Sequence, residues 1–187
     1  MKIVVIDGQG GRIGSLLTAR LCKEQLPNCE LYAIGTNATA TAAMLKAGAD
    51  FGATGENPVL VACRDADFII GPLGILSADS LLGEVTPAMA VAVGQSHAQK
   101  LLLPVNRCNN HIIGTADLSV SQLIDETISF LKKSLYSNKM RVLQTFHYRK
   151  NSGARYRGYP VPGVLIFSFI LQFSELSESA YNSHIRT

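Results

Sequence analysis

Short apolar runs and longer segments with helical spacing alternate along the first 133 residues of this chain. The apolar runs suit buried strands and fall at about Lys2–Ile6, Glu30–Ile34, Asp50–Ala53, Asp67–Ile70 and Lys100–Val105. Segments with a helical period follow them, at about Arg12–Gln25, Ala38–Ala47, Asn57–Arg64, Ile75–Leu82, Thr86–Gly94 and Ser119–Lys133. This alternation predicts a Rossmann-like α/β fold: an open, mostly parallel sheet of about five strands with helices on both faces.

Several predicted helices begin at residues that favour a helix N-terminus. Such caps stand at Asn37, Asn57-Pro58, Thr86-Pro87 and Ser119, the last with Gln122 three residues later as in a capping box. The caps support the helical segments independently of their hydrophobic spacing.

Composition places the chain among globular proteins and favours the cytoplasm. Hydrophobic residues make up 47% of the sequence and charged residues 17%, which is not a disordered composition. The N-terminus lacks the pattern of a signal peptide, and the longest apolar stretch, Val161–Phe173, is too short for a membrane span. The four cysteines, at positions 22, 29, 63 and 108, show no metal-ligand spacing. We therefore expect free thiols and no metal site.

The last 51 residues differ in composition from the rest. Residues 1–136 carry 10 basic and 12 acidic residues, whereas residues 137–187 carry 7 basic and 2 acidic ones and more of the aromatics. We predict a nucleotide-binding domain over residues 1–136 and an atypical basic, aromatic tail over 137–187. The tail is either a small accessory module for nucleic acid or sequence foreign to the domain, and its lack of a sustained period favours the second. Nucleic acid is therefore not the favoured partner.

Four glycines stand at the junction of the first strand and the first helix, at Gly8, Gly10, Gly11 and Gly14. Glycines at such a turn let a phosphate approach the backbone and the free N–H groups of the helix N-terminus. The candidate cofactor-binding residues of this turn are Gly8, Gln9, Gly10, Gly11, Arg12, Ile13 and Gly14. The alternative is a packing turn in a domain that binds something else. Asp7 is expected to cap the turn rather than to act in catalysis.

Two further segments end at the same predicted edge of the sheet. Thr36 and Asn37 follow the second strand, where domains specific for NAD place an acidic residue against the ribose. A neutral pair can bond ribose hydroxyls or tolerate a 2′-phosphate. Gly71, Pro72 and Gly74 follow the fourth strand and are predicted to face the ligand. Asn106 and Arg107 follow the fifth strand and are weaker candidates for substrate binding.

No catalytic set emerges from the spacing of the acid–base groups. Glu84, His97 and His111 lie near the predicted edge segments, but no pair among them has a diagnostic spacing. The catalytic residues therefore stay unassigned.

Motifs spread over the first 133 residues resemble an uncharacterised bacterial family, domain of unknown function 3842. They are D-G-Q-G-G-x-I-G at 7–14, G-T-N-A-x-A-T at 35–41, M-L-K-A-G-A-D at 44–50, G-A-T-G-E-N at 52–57, R-D-A-D-x-I-I-G-P-x-G-I at 64–75, G-E-V-T-P-A-M-A-V-A-V-G at 83–94 and P-V-N-R-C-N at 104–109. The resemblance supplies no activity, and it implies that the chain after about Ser134 departs from the family. The turn G-x-x-G-R-I-G at 8–14 also resembles that of dihydrodipicolinate reductases, which implies NAD(P) as cofactor.

Together these features predict a small binding or sensing domain for a nucleotide or dinucleotide, with NAD or NADP as the expected cofactor. The first alternative is an NAD(P)-dependent oxidoreductase, and the second is an interaction protein without a ligand. The sequence leaves open whether the chain forms a homo-oligomer.

Overall fold

A computed structural model describes residues 1–105, 112, 113, 115 and 117–151, with side chains described as far as residue 135. Its sheet has five strands, which are β1 (Lys2–Asp7), β2 (Glu30–Gly35), β3 (Phe51–Thr54), β4 (Phe68–Pro72) and β5 (Gln99–Leu103). All neighbouring strands run parallel, in the order β3-β2-β1-β4-β5. The predicted Rossmann-like α/β fold is confirmed.

The described helices are α1 (Arg12–Lys23), α2 (Ala38–Lys46), α3 (Glu56–Ala62), α4 (Ser80–Gly83), α5 (Pro87–Gln95) and α6 (Val120–Asn151), with a 3₁₀ turn at Leu73–Leu76. Alternate residues of β1 point to opposite faces of the sheet, as the period of a strand requires. Ile3 and Val5 pack in one apolar cluster with residues of α1, α2 and α6. Val4 and Ile6 pack in a second cluster with residues of α3 and α5. Helices therefore cover both faces, as predicted.

Three of the predicted helix caps are present in the structure. The Asn37 side chain accepts a hydrogen bond from the Ala40 N–H at 2.9 Å. The Thr86 hydroxyl accepts one from the Met89 N–H at 3.2 Å, with Pro87 in the first turn of α5. Ser119 and Gln122 bond each other reciprocally before α6. These caps could be predicted because each involves residues three positions apart.

The prediction of a cap at Asn57 is wrong. The cap lies two residues earlier: Gly55, at φ +102°, is the N-cap of helix α3, which begins at Glu56. Pro58 is accommodated in the first turn because the amides there have no acceptor within the helix.

The predicted helix Ile75–Leu82 is also wrong. The segment contains only the 3₁₀ turn and the single turn α4, in which Leu81 and Leu82 have left-handed backbone angles. The Ser80 hydroxyl donates to the Gly74 carbonyl at 2.6 Å, and the Asp79 N–H donates to the Val85 carbonyl at 2.7 Å. A continuous helix would have used the Asp79 N–H and the Gly74 carbonyl, so these loop-closing bonds compete with it.

The chain divides into two compact units, Met1–Lys139 and Met140–Thr187. The first contains the whole sheet and both apolar clusters. The character of the predicted tail stays a prediction, because residues 152–187 lie outside the described part of the chain. None of the described helices combines the length and the apolar character that crossing a bilayer requires.

Candidate functional site

The candidate site lies at the carboxyl edge of the sheet, where the strand order reverses. β1 is followed along the chain by β2 on one side, while β4 lies on its other side. In open α/β sheets, ligands bind at such a switch point. The loops that follow β1, β2 and β4 all meet at this edge, so the structure brings together the glycine turn, Thr36 with Asn37, and the 71–74 segment.

Asp7, the last residue of β1, fills the inner side of the glycine turn. Its carboxylate accepts hydrogen bonds from the Gly8 N–H at 2.8 Å and the Gly14 N–H at 2.6 Å. The predicted capping role of Asp7 is therefore confirmed. The glycine pattern alone therefore overstates how many amides are open to an anion, because those of Gly8 and Gly14 already have a carboxylate acceptor.

The position of Gly14 also explains why this residue is a glycine. A Cβ atom added there would lie 2.7 Å from the Asp7 Cβ and 2.5 Å from the Met44 sulfur. The first turn of α1 can therefore approach the end of β1 closely enough for the Asp7 carboxylate to reach its amides.

Burial raises the pKa of Asp7 above its ordinary value of 3.8, and this effect outweighs the bonds from the amides of Gly14, Gly8 and Ile13, which lower it. The folded chain therefore holds this proton more tightly than the unfolded chain does. The stability that the group contributes is present below pH 3.8 and is lost as the pH rises through the folded pKa.

We expect the difference in the free energy of unfolding between wild type and Asp7→Asn to decrease as the pH rises through this window. The asparagine does not titrate, so the difference isolates the pH dependence of the wild-type carboxyl. Urea unfolding of both proteins from about pH 3.5 to about pH 7 measures it. A difference that is constant or increases with pH would contradict the raised pKa.

Glu84 joins the glycine turn to the end of β2. Its Oε2 atom accepts hydrogen bonds from the Gln9 N–H at 2.8 Å, the Thr36 hydroxyl at 2.5 Å and the Asn37 side-chain amide at 2.8 Å. Partial burial acts to raise the pKa of Glu84, but these three bonds together hold that pKa below its usual value. A carboxylate therefore already occupies the donors that the sequence assigned to a ligand.

Two amides on the outer side of the turn are open. Among the described residues, the N–H groups of Gly10 and Arg12 have no hydrogen-bond acceptor. A Cβ atom added to Gly10 would meet no heavy atom within 4 Å, so open space lies beside this residue. The Arg12 side chain is exposed and makes no ion pair within the described part of the chain.

The 71–74 segment is arranged differently from the sequence prediction. Gly71, Pro72 and Gly74 are buried, and the Gly74 carbonyl accepts the Ser80 hydroxyl. A Cβ atom on Gly71 would lie 2.4 Å from the Ile6 carbonyl oxygen, so this glycine allows close contact between β4 and β1. In this structure the segment packs against β1 below the surface of the edge, and it exposes little surface to a ligand.

Other predicted residues lie away from this edge or outside the described chain. His97 is exposed and precedes the amino end of β5, at the opposite edge of the sheet, so it does not join Glu84. Asn106, Arg107, Cys108 and His111 lie outside the described residues. No group of three or more potential metal ligands occurs among the residues that the structure covers.

The cysteines in the described part of the chain, Cys22, Cys29 and Cys63, are free thiols. Burial raises the pKa of Cys63 to about 11, which keeps this thiol protonated.

Two cavities of the described structure lie away from the glycine turn. A cavity of about 280 Å³ at the amino edge of the sheet is bordered by Cys22 and Cys29. A cavity of about 490 Å³ lies between α3 and α5. Neither is bordered by the candidate site residues.

Fold and site together define a Rossmann-like α/β domain with a glycine turn at its switch point. Residues 2–136 match the sequence model of the family described as Domain of unknown function (DUF3842), and the chain belongs to this family. No curated protein matches the chain.

Among solved structures, the chain is similar to a dodecameric FMN-dependent Ubix-like decarboxylase from Escherichia coli O157:H7. The two share 15% sequence identity at a TM-score of 0.35, over 85% of this chain and 100% of the other. A similarity this low identifies neither a function nor a ligand.

Proposed function

We propose that this domain binds a nucleotide-type ligand through its phosphate at the carboxyl edge of the sheet. The observation that carries the proposal is the pair of open amides, Gly10 and Arg12, on a glycine turn at the switch point. The exposed Arg12 guanidinium adds a positive charge beside them. Free N–H groups at the start of a helix favour a bound anion through both hydrogen bonding and the helix dipole.

The groups at the end of β2 suit a nucleotide that carries a ribose. Thr36 and Asn37 are neutral and half-buried, and their donors, which Glu84 Oε2 accepts in this structure, are of the kind that bond ribose hydroxyls. NAD and NADP are therefore the dinucleotides that we propose to test first.

A binding or sensing role fits the site better than an oxidoreductase does. Both Asp7 oxygens accept backbone N–H groups, and Glu84 Oε2 already accepts three hydrogen bonds. Neither carboxylate is poised to exchange a proton with a substrate in this arrangement.

Thermal unfolding and calorimetry of the full chain with NAD, NADP, FMN, FAD and ATP test this proposal. A ligand at about 100 times its dissociation constant should raise the free energy of unfolding by about 2.7 kcal/mol. We expect Arg12→Ala to weaken binding about tenfold, the loss that corresponds to about 1.4 kcal/mol. Lys23→Ala is the matched control, because Lys23 is an exposed cation at the other end of α1. Equal affinities of Arg12→Ala and wild type would contradict the assignment of the site.

A further inference from the structure

We propose that Glu84 is an internal anion that occupies part of the phosphate site, and that the residues around it move away when a phosphate ligand binds. We define the Glu84 loop as residues 79–85. This inference rests on the proposed function and adds a regulatory contact to the same site.

The first support is the set of groups that Glu84 bonds. A backbone N–H of the glycine turn, a hydroxyl and a side-chain amide all donate to one carboxylate oxygen, Oε2. Three convergent donors around one anionic oxygen are also what a phosphate oxygen requires. Glu84 therefore presents to this site the chemistry of a ligand phosphate.

The second support is the lack of room for a second anion beside Oε2. A Cβ atom added to Gly8 would lie only 2.7 Å from this oxygen, so the carboxylate lies directly against the backbone of the turn. A phosphate oxygen that reaches the Gln9 N–H would occupy the position of Oε2. The two anions would also repel each other at that distance. Phosphate binding at Gln9 and the present position of Glu84 therefore exclude each other.

The third support is the backbone conformation of the Glu84 loop. Asp79, Leu81 and Leu82 have φ angles of +62°, +54° and +61°, which L residues rarely adopt. Leu81 is buried, but Leu82 is 96% exposed, so side-chain packing does not compensate for its conformation. Such conformations persist where surrounding contacts hold them, and here the contacts of Glu84 act together with the bonds from Ser80 to Gly74 and from Asp79 to Val85. Release of Glu84 removes a restraint on a strained segment.

These features describe two states of one site, closed by Glu84 or open to a phosphate. The measured affinity for a phosphate ligand is then the intrinsic affinity multiplied by the fraction of molecules in the open state. A change that weakens the hold of Glu84 should raise the measured affinity. A change that relieves strain in the closed state should lower it.

The first test compares Glu84→Gln with wild type, using calorimetric titration of the full chain with inorganic pyrophosphate and with NAD. We expect Glu84→Gln to bind at least one of these probes about tenfold more tightly, because glutamine is a neutral acceptor and competes poorly for the three donors. Glu30→Gln is the matched control. It removes the same charge at the amino end of β2 and should leave the affinity unchanged.

The second test changes no charge. Asparagine adopts left-handed backbone angles more readily than leucine does, so Leu82→Asn should stabilise the closed state. We expect this variant to bind the same probe severalfold more weakly than wild type while unfolding at a higher temperature. It separates release of the loop from a simple electrostatic effect at position 84, and it keeps the proposal testable if Glu84→Gln fails to fold.

The outcomes distinguish this inference from the proposed function. If wild type binds a probe and Glu84→Gln binds it equally or more weakly, the internal-anion proposal is overturned while nucleotide binding stands. Unchanged or tighter binding by Leu82→Asn would also overturn it. If no probe or nucleotide binds to wild type or to either variant, the proposed function falls, and this inference falls with it.

Discussion

Replacement of Leu131 by alanine should lower the free energy of unfolding by about 2–5 kcal/mol, the usual cost of truncating a large buried side chain. Leu131 is completely buried in the apolar cluster that covers one face of the sheet. It shares that cluster with Val5 of β1 and Leu17 of α1. The loss combines the transfer free energy of the removed methyl groups with the cavity that they leave.

Phe130→Ala is the matched control for this prediction. Phe130 precedes Leu131 on α6 but is 45% exposed, so its truncation should cost less than about 1 kcal/mol. Urea unfolding of both variants, followed by circular dichroism, measures the two costs. Equal costs would show that this part of α6 does not pack on the sheet, and the assignment of α6 to the core would be wrong.

The second large effect is expected at Gly11, where alanine should cost about 2–4 kcal/mol from backbone strain and overpacking together. Gly11 is the N-cap of α1 and has a φ of +66°, which favours glycine. A Cβ atom there would lie 2.6 Å from the Cα of Ala40, so the backbone of α2 would have to shift. A flexible side chain could move aside at little cost, but the Ala40 backbone is part of a helix.

Gly10→Ala is the control for the second prediction, because it makes the same chemical change one residue earlier. A Cβ atom at Gly10 meets no heavy atom within 4 Å, so we expect a change of less than about 1 kcal/mol. Thermal and urea unfolding of the two variants measure the difference. If Gly10→Ala destabilised the chain as much as Gly11→Ala, close packing of α1 against α2 would not explain why residue 11 is a glycine.

The site differs from a simple phosphate-binding turn because two carboxylates of the chain itself, Asp7 and Glu84, accept amides of the turn. Asp7 accepts the amides on the inner side of the turn, and Glu84 accepts the Gln9 amide on the side that faces β2. On the outer side of the turn, the amides of Gly10 and Arg12 have no acceptor among the described residues. The Glu84 and Arg12 variants therefore test separate parts of one binding hypothesis, and the Asp7 variant tests the pH dependence of stability at the inner side of the turn.

Local patterns in the sequence were sufficient to predict the strands, most of the helices and three of the caps. A buried strand shows its apolar run within a few residues, and a capping side chain reaches an amide only three positions away. The Asp7 cap could also be predicted, because its bond to the Gly14 amide spans only seven residues. The parallel order of the sheet followed from the alternation of strands and helices.

Two local expectations failed because distant contacts outweighed the local preference. The apolar spacing of Ile75–Leu82 suits a helix, yet the bond from the Asp79 N–H to Val85 and the burial of Leu81 impose a tight loop. Proline at position 58 suits a first helical turn, but it did not identify Gly55 as the cap. A glycine cap has no side-chain acceptor to mark it.

The sequence of the first 136 residues thus suffices for a parallel α/β domain with a glycine turn after its first strand, since both depend on short-range periodicity and backbone sterics. The place of Glu84 could come only from the folded chain. Its bonds to Gln9, Thr36 and Asn37 cross 75, 48 and 47 residues of sequence. No local spacing encodes such contacts. They exist because the parallel sheet brings the ends of β1, β2 and β4 to one edge, where a carboxylate from the Glu84 loop meets donors from the other two.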